Sequence, residues 1–165
     1  MSEDSKMAII HLSTIIEARR ERIFDLARSI DAHQESAKET GERAISGVIK
    51  GLVGMNDEVT WEARHFGIRQ KLTVRITAFD RPNYFQDVMV RGAFRRMVHD
   101  HTFVEHPSGT EMVDRFEFGS PFGILGWTID RLFLCQYMRG FLIQRNLRLK
   151  QLAESEEWRR YLQRD

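Results

Sequence analysis

Between Glu42 and Phe118 the chain reads as a run of short stretches rich in β-branched and aromatic residues, each cut off by turn residues, and a single much longer helical stretch follows. That order limits the possible folds more than any other feature. The candidate strands are Arg43 to Lys50, Glu58 to Phe66, Arg69 to Phe79, Asn83 to Arg91, Phe94 to Val104 and Thr110 to Phe118. Gly54, Asn56 and Asp57 punctuate the first join, Gly67 the second, Arg81-Pro82-Asn83 the third, Gly92 the fourth and His106-Pro107-Ser108-Gly109 the fifth. Joins this short suit hairpins, because a parallel crossover needs about a dozen or more residues. The predicted sheet is therefore antiparallel.

Ahead of this run, Met7 to Glu17 reads as a first strand, and Ala18 to Ile30 spaces Ile23, Phe24, Ala27 and Ile30 as one face of a short helix. Asp31 is placed to cap a second short helix through about Glu39, which Gly41 ends. After a Gly/Pro loop from Gly119 to Gly126, the helical stretch Trp127 to Glu154 is about 40 Å long at 1.5 Å per residue, enough to cross the face of a sheet. Between Leu132 and Ile143 it is apolar around much of its circumference, as expected of a helix pressed into a concave sheet. The predicted class is α+β, a curved antiparallel sheet wrapped around a long C-terminal helix. At 165 residues one core suffices. The expected domain spans residues 7–154, with a flexible N-terminus at 1–6 and a charged tail at 155–165 that carries Trp158, Tyr161 and Leu162 on one helical face.

Composition narrows the function classes. Lys and Arg total 25 against 24 acidic residues, a net charge of +1, which gives no global field to attract nucleic acid. Arg91, Arg95 and Arg96, and again Arg145, Arg148 and Lys150, form small basic groups that read as solvated surface, so no nucleic-acid partner is expected. A protein partner is left open. The stretch Leu132 to Ile143 contains Gln136 and Arg139 and falls short of the roughly 20 apolar residues of a membrane span. No export signal is legible in the polar Met1 to Lys6, and Cys135 alone cannot form an internal disulfide, so a cytoplasmic location is expected. Neither a phosphate-cradling glycine loop nor a nucleophile elbow is present, and no cofactor is expected.

Several motifs carry a family likeness. The run Gly54-Met-Asn-Asp-Glu-Val-Thr-Trp-Glu-Ala-Arg-His-Phe-Gly67 is one; Phe85-x-Asp87, Gly92-x-Phe94 and His99-Asp-His101-x-Phe103 form a second; Pro121-Phe-Gly, leading into the last helix, is a third. With the order of elements, over about residues 7 to 154, the chain resembles the START-like superfamily of pollen-allergen ligand carriers, polyketide cyclases and lipid-transfer domains. The resemblance implies a helix-grip β-α-α-β6-α fold with a cavity between sheet and helix that takes a small hydrophobic or amphipathic ligand. It does not imply one chemistry, since a fold hosts carriers and enzymes alike.

Strand alternation puts Val59, Trp61, Ala63 and His65 on one face, Met97, His99, His101 and Phe103 on one face of a later strand, and Met112, Asp114, Phe116 and Phe118 on one face of the next. A four-residue hairpin loop at His106 to Gly109 pairs Glu105 with Thr110 and sets His101 opposite Asp114, within reach of a hydrogen bond; a longer loop would bring His99 there instead. A buried aspartate needs such a partner. The predicted ligand-binding set is Trp61, His65, Met97, His99, His101, Phe103, Asp114 and Phe116, with Phe133 and Tyr137 from the helix. His99, His101 and Asp114 are the catalytic candidates if the chain is a cyclase or dehydratase, with the histidine as acid or base. A metal site is not expected: His99-x-His101 supplies two imidazoles, with Asp114 a better-placed third ligand than His65, but internal hydrogen bonds are set to occupy the histidines. Cys135 reads as a small core residue. The first reading is a carrier or sensor, the second an enzyme, and the third an interaction module whose cavity is filled by its own aromatics.

Overall fold

The structure, a computed structural model, describes residues 7–119 and 123–162, with side chains from 7–119 and 133–162. Met1 to Lys6, the Pro121-Phe122 part of the helix entry and residues 163–165 lie outside the described residues.

The strands are β1 (Met7–Ile16), β2 (Arg43–Gly47), β3 (Glu58–His65), β4 (Ile68–Asp80), β5 (Tyr84–Arg91), β6 (Arg96–His106) and β7 (Gly109–Gly119). They form one antiparallel sheet in the order β1-β7-β6-β5-β4-β3-β2. The chain starts beside the last strand, crosses to the far edge through helices α1 (Arg20–Ala27) and α2 (Ile30–Ser36), and then returns strand by strand. Register shifts at Ala44/Ser46, Thr73/Val74 and Ile76/Ala78 mark bulges. Such extra residues bend a strand and sharpen its twist, which suits a sheet that must curve around a helix.

The long helix α3 (Gly123–Glu154) starts four residues earlier than the sequence predicts. Its backbone runs closest to β1 and to α1 and α2, so the central strands face it across side chains and open space. Met138, Leu142, Leu149 and Leu152 form its buried row, at spacings of four, seven and three residues, which keep to one helix face. Ile143, Leu147 and Phe133 are exposed, so the helix is not apolar-packed on all sides as its composition suggested. Beyond it, Ser155 caps a short turn (Glu156–Trp158) and helix α4 (Arg159–Leu162), and Trp158, Tyr161 and Leu162 pack against the core. Arg22 of α1 stacks its guanidinium 4.4 Å from the Trp158 ring.

The two short helices differ from expectation at the join between them. The first ends at Ala27 rather than Ile30, because the backbone of residues 28–30 pairs with residues 51–53: Ser29 bridges Leu52, Ile30 N donates to Gly51 O and Val53 N to Arg28 O. Ser29, not Asp31, caps α2, its hydroxyl accepting from Ala32 N, and Asp31 accepts from Gly51 N instead. Phe24, wholly buried on α1, meets Phe79, Phe85 and Phe103 edge-on at 5.4, 5.5 and 5.2 Å. This aromatic knot closes one end of the space between helices and sheet.

Candidate ligand-binding cavity

Because α3 stands off the central strands, a cavity of about 470 Å³ remains between them. Alternation along β3 turns Val59, Trp61, Ala63 and His65 into it. Val74 and Ile76 of β4, Met97 of β6, Phe116 of β7 and Met138 and Leu142 of α3 supply further apolar wall. At the β3–β4 turn, Phe66 and Gly67 both have positive φ, 53° and 75°, an uncommon setting for an aromatic residue. Phe66 is thereby held half-exposed against Tyr137 and Phe133 of α3, with ring centroids 4.3 and 5.6 Å away.

One wall is polar. Asp114, 0% exposed, gathers donors from two elements: His99 Nε2 at 2.8 Å and Arg145 Nη2 at 3.2 Å on Oδ1, and Asn146 Nδ2 at 2.6 Å on Oδ2. His101 sits directly opposite it in the β6–β7 ladder, and its Nδ1 comes within 3.1 Å of Oδ1 without the direction of a hydrogen bond. The other nitrogen of His101, Nε2, meets Asp87 Oδ2 at 3.0 Å. Asp87 in turn lies opposite His99 across the β5–β6 ladder.

Burial alone would raise the Asp114 carboxyl, but the His101 and His99 rings beside it and the charge of Arg145 hold it well below the usual carboxylate range. Burial would raise Asp87 as well, but His101, His99 and Arg145 together hold it below its ordinary value. The two imidazoles part ways. Burial and the neighbouring charge of His101 push His99 down to about 4, whereas the carboxylates of Asp114 and Asp87 overcome burial and raise His101. The two rings thus differ in basicity, and the stronger base is the one that lies between two carboxylates.

A second polar group borders the cavity. His33 of α2 stacks on Trp61 at 4.1 Å and brings Nε2 within 3.3 Å of Glu42 Oε2. Burial would raise Glu42, but His33, His65 and Arg145 hold it below its ordinary value. His65 Nδ1 and the Tyr137 hydroxyl share a 2.7 Å hydrogen bond across the gap between β3 and α3. Burial lowers His65, outweighing the opposite pull of the Glu42 carboxylate.

No family model matches the chain, and no curated protein matches it. Solved structures do. Protein TTHA0849 from Thermus thermophilus superposes with a TM-score of 0.71 at 17% identity, covering 89% of this chain and 96% of that one. Major latex-like protein 151 from Panax ginseng gives 0.67 at 12% identity, covering 89% and 97%. The di-domain ARO/CYC protein StfQ from the steffimycin biosynthetic pathway gives 0.73 at 10% identity over 92% of this chain and 52% of that one. The chain has the helix-grip fold. At these identities the likeness concerns the fold.

Within that helix-grip frame, Trp61, His65, Met97, His99, His101, Phe116 and Tyr137 all border the cavity. Three residues of the predicted set do not. Phe103, 2% exposed, is spent in the knot with Phe24 and Phe85. Asp114 lies behind the histidines, where it orients them. Phe133, one turn before Tyr137 on the same side of the helix, is 62% exposed and does not reach the cavity.

Among the cavity residues missed from sequence are three charged ones. Arg145, read as solvated surface, is only 7% exposed and borders the cavity. Its place in the row Met138-Leu142-Arg145-Leu149-Leu152 was the available signal. Asp87 shares the face of Phe85 two residues before it, and Glu42 precedes the first strand of the meander. Among the described residues no helix is long and apolar enough to cross a membrane.

Proposed function

We propose that this chain binds one small hydrophobic or amphipathic molecule between the sheet and α3, as a cytoplasmic carrier or sensor. The observation that carries this reading is the cavity itself. Its volume of about 470 Å³ falls within the usual span of small-molecule sites, about 300–1,000 Å³, and its walls are mostly apolar, with polar groups converging at Asp87, His99, His101 and Arg145 and again at His33, Glu42 and His65. Apolar walls exclude water from the ligand body, and a polar end fixes its orientation. The half-exposed Phe66 beside Tyr137 marks the entrance between the β3–β4 turn and α3.

A space of that size weighs against an interaction module filled by its own aromatics. The cyclase or dehydratase reading draws on His99 and His101 bordering the cavity while Asp114 orients them from behind. It differs from the carrier reading in one outcome: His101→Ala depresses turnover far more than affinity in an enzyme, and weakens only affinity in a carrier.

The test is native mass spectrometry on freshly purified protein, followed by denaturing extraction of any bound compound. The reading predicts a one-to-one organic adduct, or one formed on adding fatty acids, sterols or aromatic polyketides. A bare mass from several expression hosts, unchanged by all three additions, counts against it.

A further inference from the structure

Asp87, His99 and His101 bring one donor atom each to within 4.8 Å of one another, and all three border the cavity. The sheet dictates this meeting. Asp87 is the ladder partner of His99, and His101 follows two residues later on the same strand face. We propose that these three side chains bind one divalent transition-metal ion, of the zinc, cobalt or ferrous type, with its remaining coordination positions open to the cavity.

The donor set fits such ions. Two imidazoles and one carboxylate leave positions free for a further ligand, whereas hard ions such as calcium require a cage of oxygens. An ion about 2.0–2.2 Å from each donor holds the donors about 3.4 Å apart. Asp87 is the least buried of the three, so rotation of its side chain closes the site with the least disturbance.

What lies behind the ligands supports the assignment. A metal-bound imidazole commonly turns its other nitrogen to a carboxylate, which fixes the ring and the tautomer. Here one carboxylate, Asp114, lies behind both rings: it is hydrogen-bonded to His99 Nε2 at 2.8 Å and stands 3.1 Å from His101 Nδ1, a contact that a small rotation of the ring would turn into a hydrogen bond. That leaves His99 Nδ1 and His101 Nε2 as the metal-facing atoms, and the latter already points at Asp87 from 3.0 Å. Arg145 and Asn146 hold Asp114 in turn. A simple buried ion pair needs one histidine, whereas two rings set side by side, with centroids 3.8 Å apart, against a single fixed carboxylate suit a second task. From sequence no metal site is expected, and Asp114 is only a better-placed third ligand than His65; the geometry instead has Asp114 orient the rings and gives the third place to Asp87.

This inference rests on the cavity reading only in that the open positions face the proposed ligand, whose oxygen would complete the coordination shell. It is tested by titrating chelator-stripped protein with Co(II) alone, followed by visible absorption and native mass. The expected result is one ion per chain with d–d absorption, weakened at least ten-fold in Asp87→Asn and in His99→Gln and about ten-fold in Asp114→Asn. His11→Gln, which removes an exposed histidine on β1, leaves binding unchanged. Absence of stoichiometric uptake by the unmutated protein overturns the proposal, as does uptake indifferent to Asp87→Asn and His99→Gln. In parallel, the same stripped protein is titrated with 1-anilinonaphthalene-8-sulfonate. Dye binding without cobalt binding removes the metal site alone, and cobalt binding without dye binding removes the cavity reading alone.

Discussion

Asp114 shows how one side chain can join a sheet to a helix. Its two oxygens take donors from β6 and from α3, so the carboxylate fastens the long helix to the strand floor at the polar wall. Asp114→Asn leaves the Arg145 guanidinium buried without its contacting counter-charge. The expected loss is about 3 kcal/mol, at the low end for a broken buried pair because Asp87 still faces the same charge. Urea unfolding of the two proteins measures it. On the far side, Asp25 of α1 accepts from Arg28 at 2.8 Å and from Arg81, at the β4–β5 turn, at 2.6 Å. Burial would raise its carboxyl, but those two guanidinium groups hold it below the ordinary value. A carboxyl lowered on folding stabilises the protein above its unfolded value, about pH 3.9, and loses that contribution as pH falls through the folded one. Asp25→Asn is therefore less stable at neutral pH, and the difference vanishes in strong acid, as unfolding midpoints at about pH 7 and pH 2.5 will show. At this scale the sequence was informative where alternation alone decides. Alternation placed Asp114 and the histidines on inner faces. It gave no reason to draw Arg145 inward, because a long cation on a helix normally reaches solvent, and only the apolar row around it says otherwise.

At the level of elements, the hairpin between β6 and β7 determines how the histidines meet Asp114. Pairing runs one step beyond the predicted Glu105–Thr110 pair, to His106 and Gly109, so the loop is shorter but the register is the one predicted. Gly109 has φ +143°, and a Cβ there would lie 2.3 Å from the carbonyl oxygen of Ile16 at the end of β1. Gly109→Ala is expected to cost about 3 kcal/mol, through unfavourable backbone conformation and displacement of β1. Thermal unfolding reads the loss. Ser29→Ala removes the α2 cap and should cost about 1 kcal/mol by the same measurement. The meander was legible because turn residues and alternation are local signals. The break between α1 and α2 was not, since it is imposed by residues 51–53, distant in sequence, which claim the backbone groups of residues 28–30.

For the whole molecule, the order of strands and helices indicated the helix-grip architecture, but not the space inside it. An inward tryptophan or methionine produces the same sequence pattern whether it lines a cavity or fills one. The difference lies in how far α3 stands from β3 to β6, which follows from its seating on β1, α1 and α2. The account's central claim is that this space receives a small apolar molecule. Methyl-labelled NMR of the protein with a bound fatty acid or aromatic polyketide tests it most directly. The account predicts ligand-to-methyl contacts at Val59, Val74, Ile76, Met97 and Leu142, which border the cavity, and none at the exposed Ile9, Val90 and Val104. Contacts confined to the exposed methyls, or none at any saturating ligand, would contradict it.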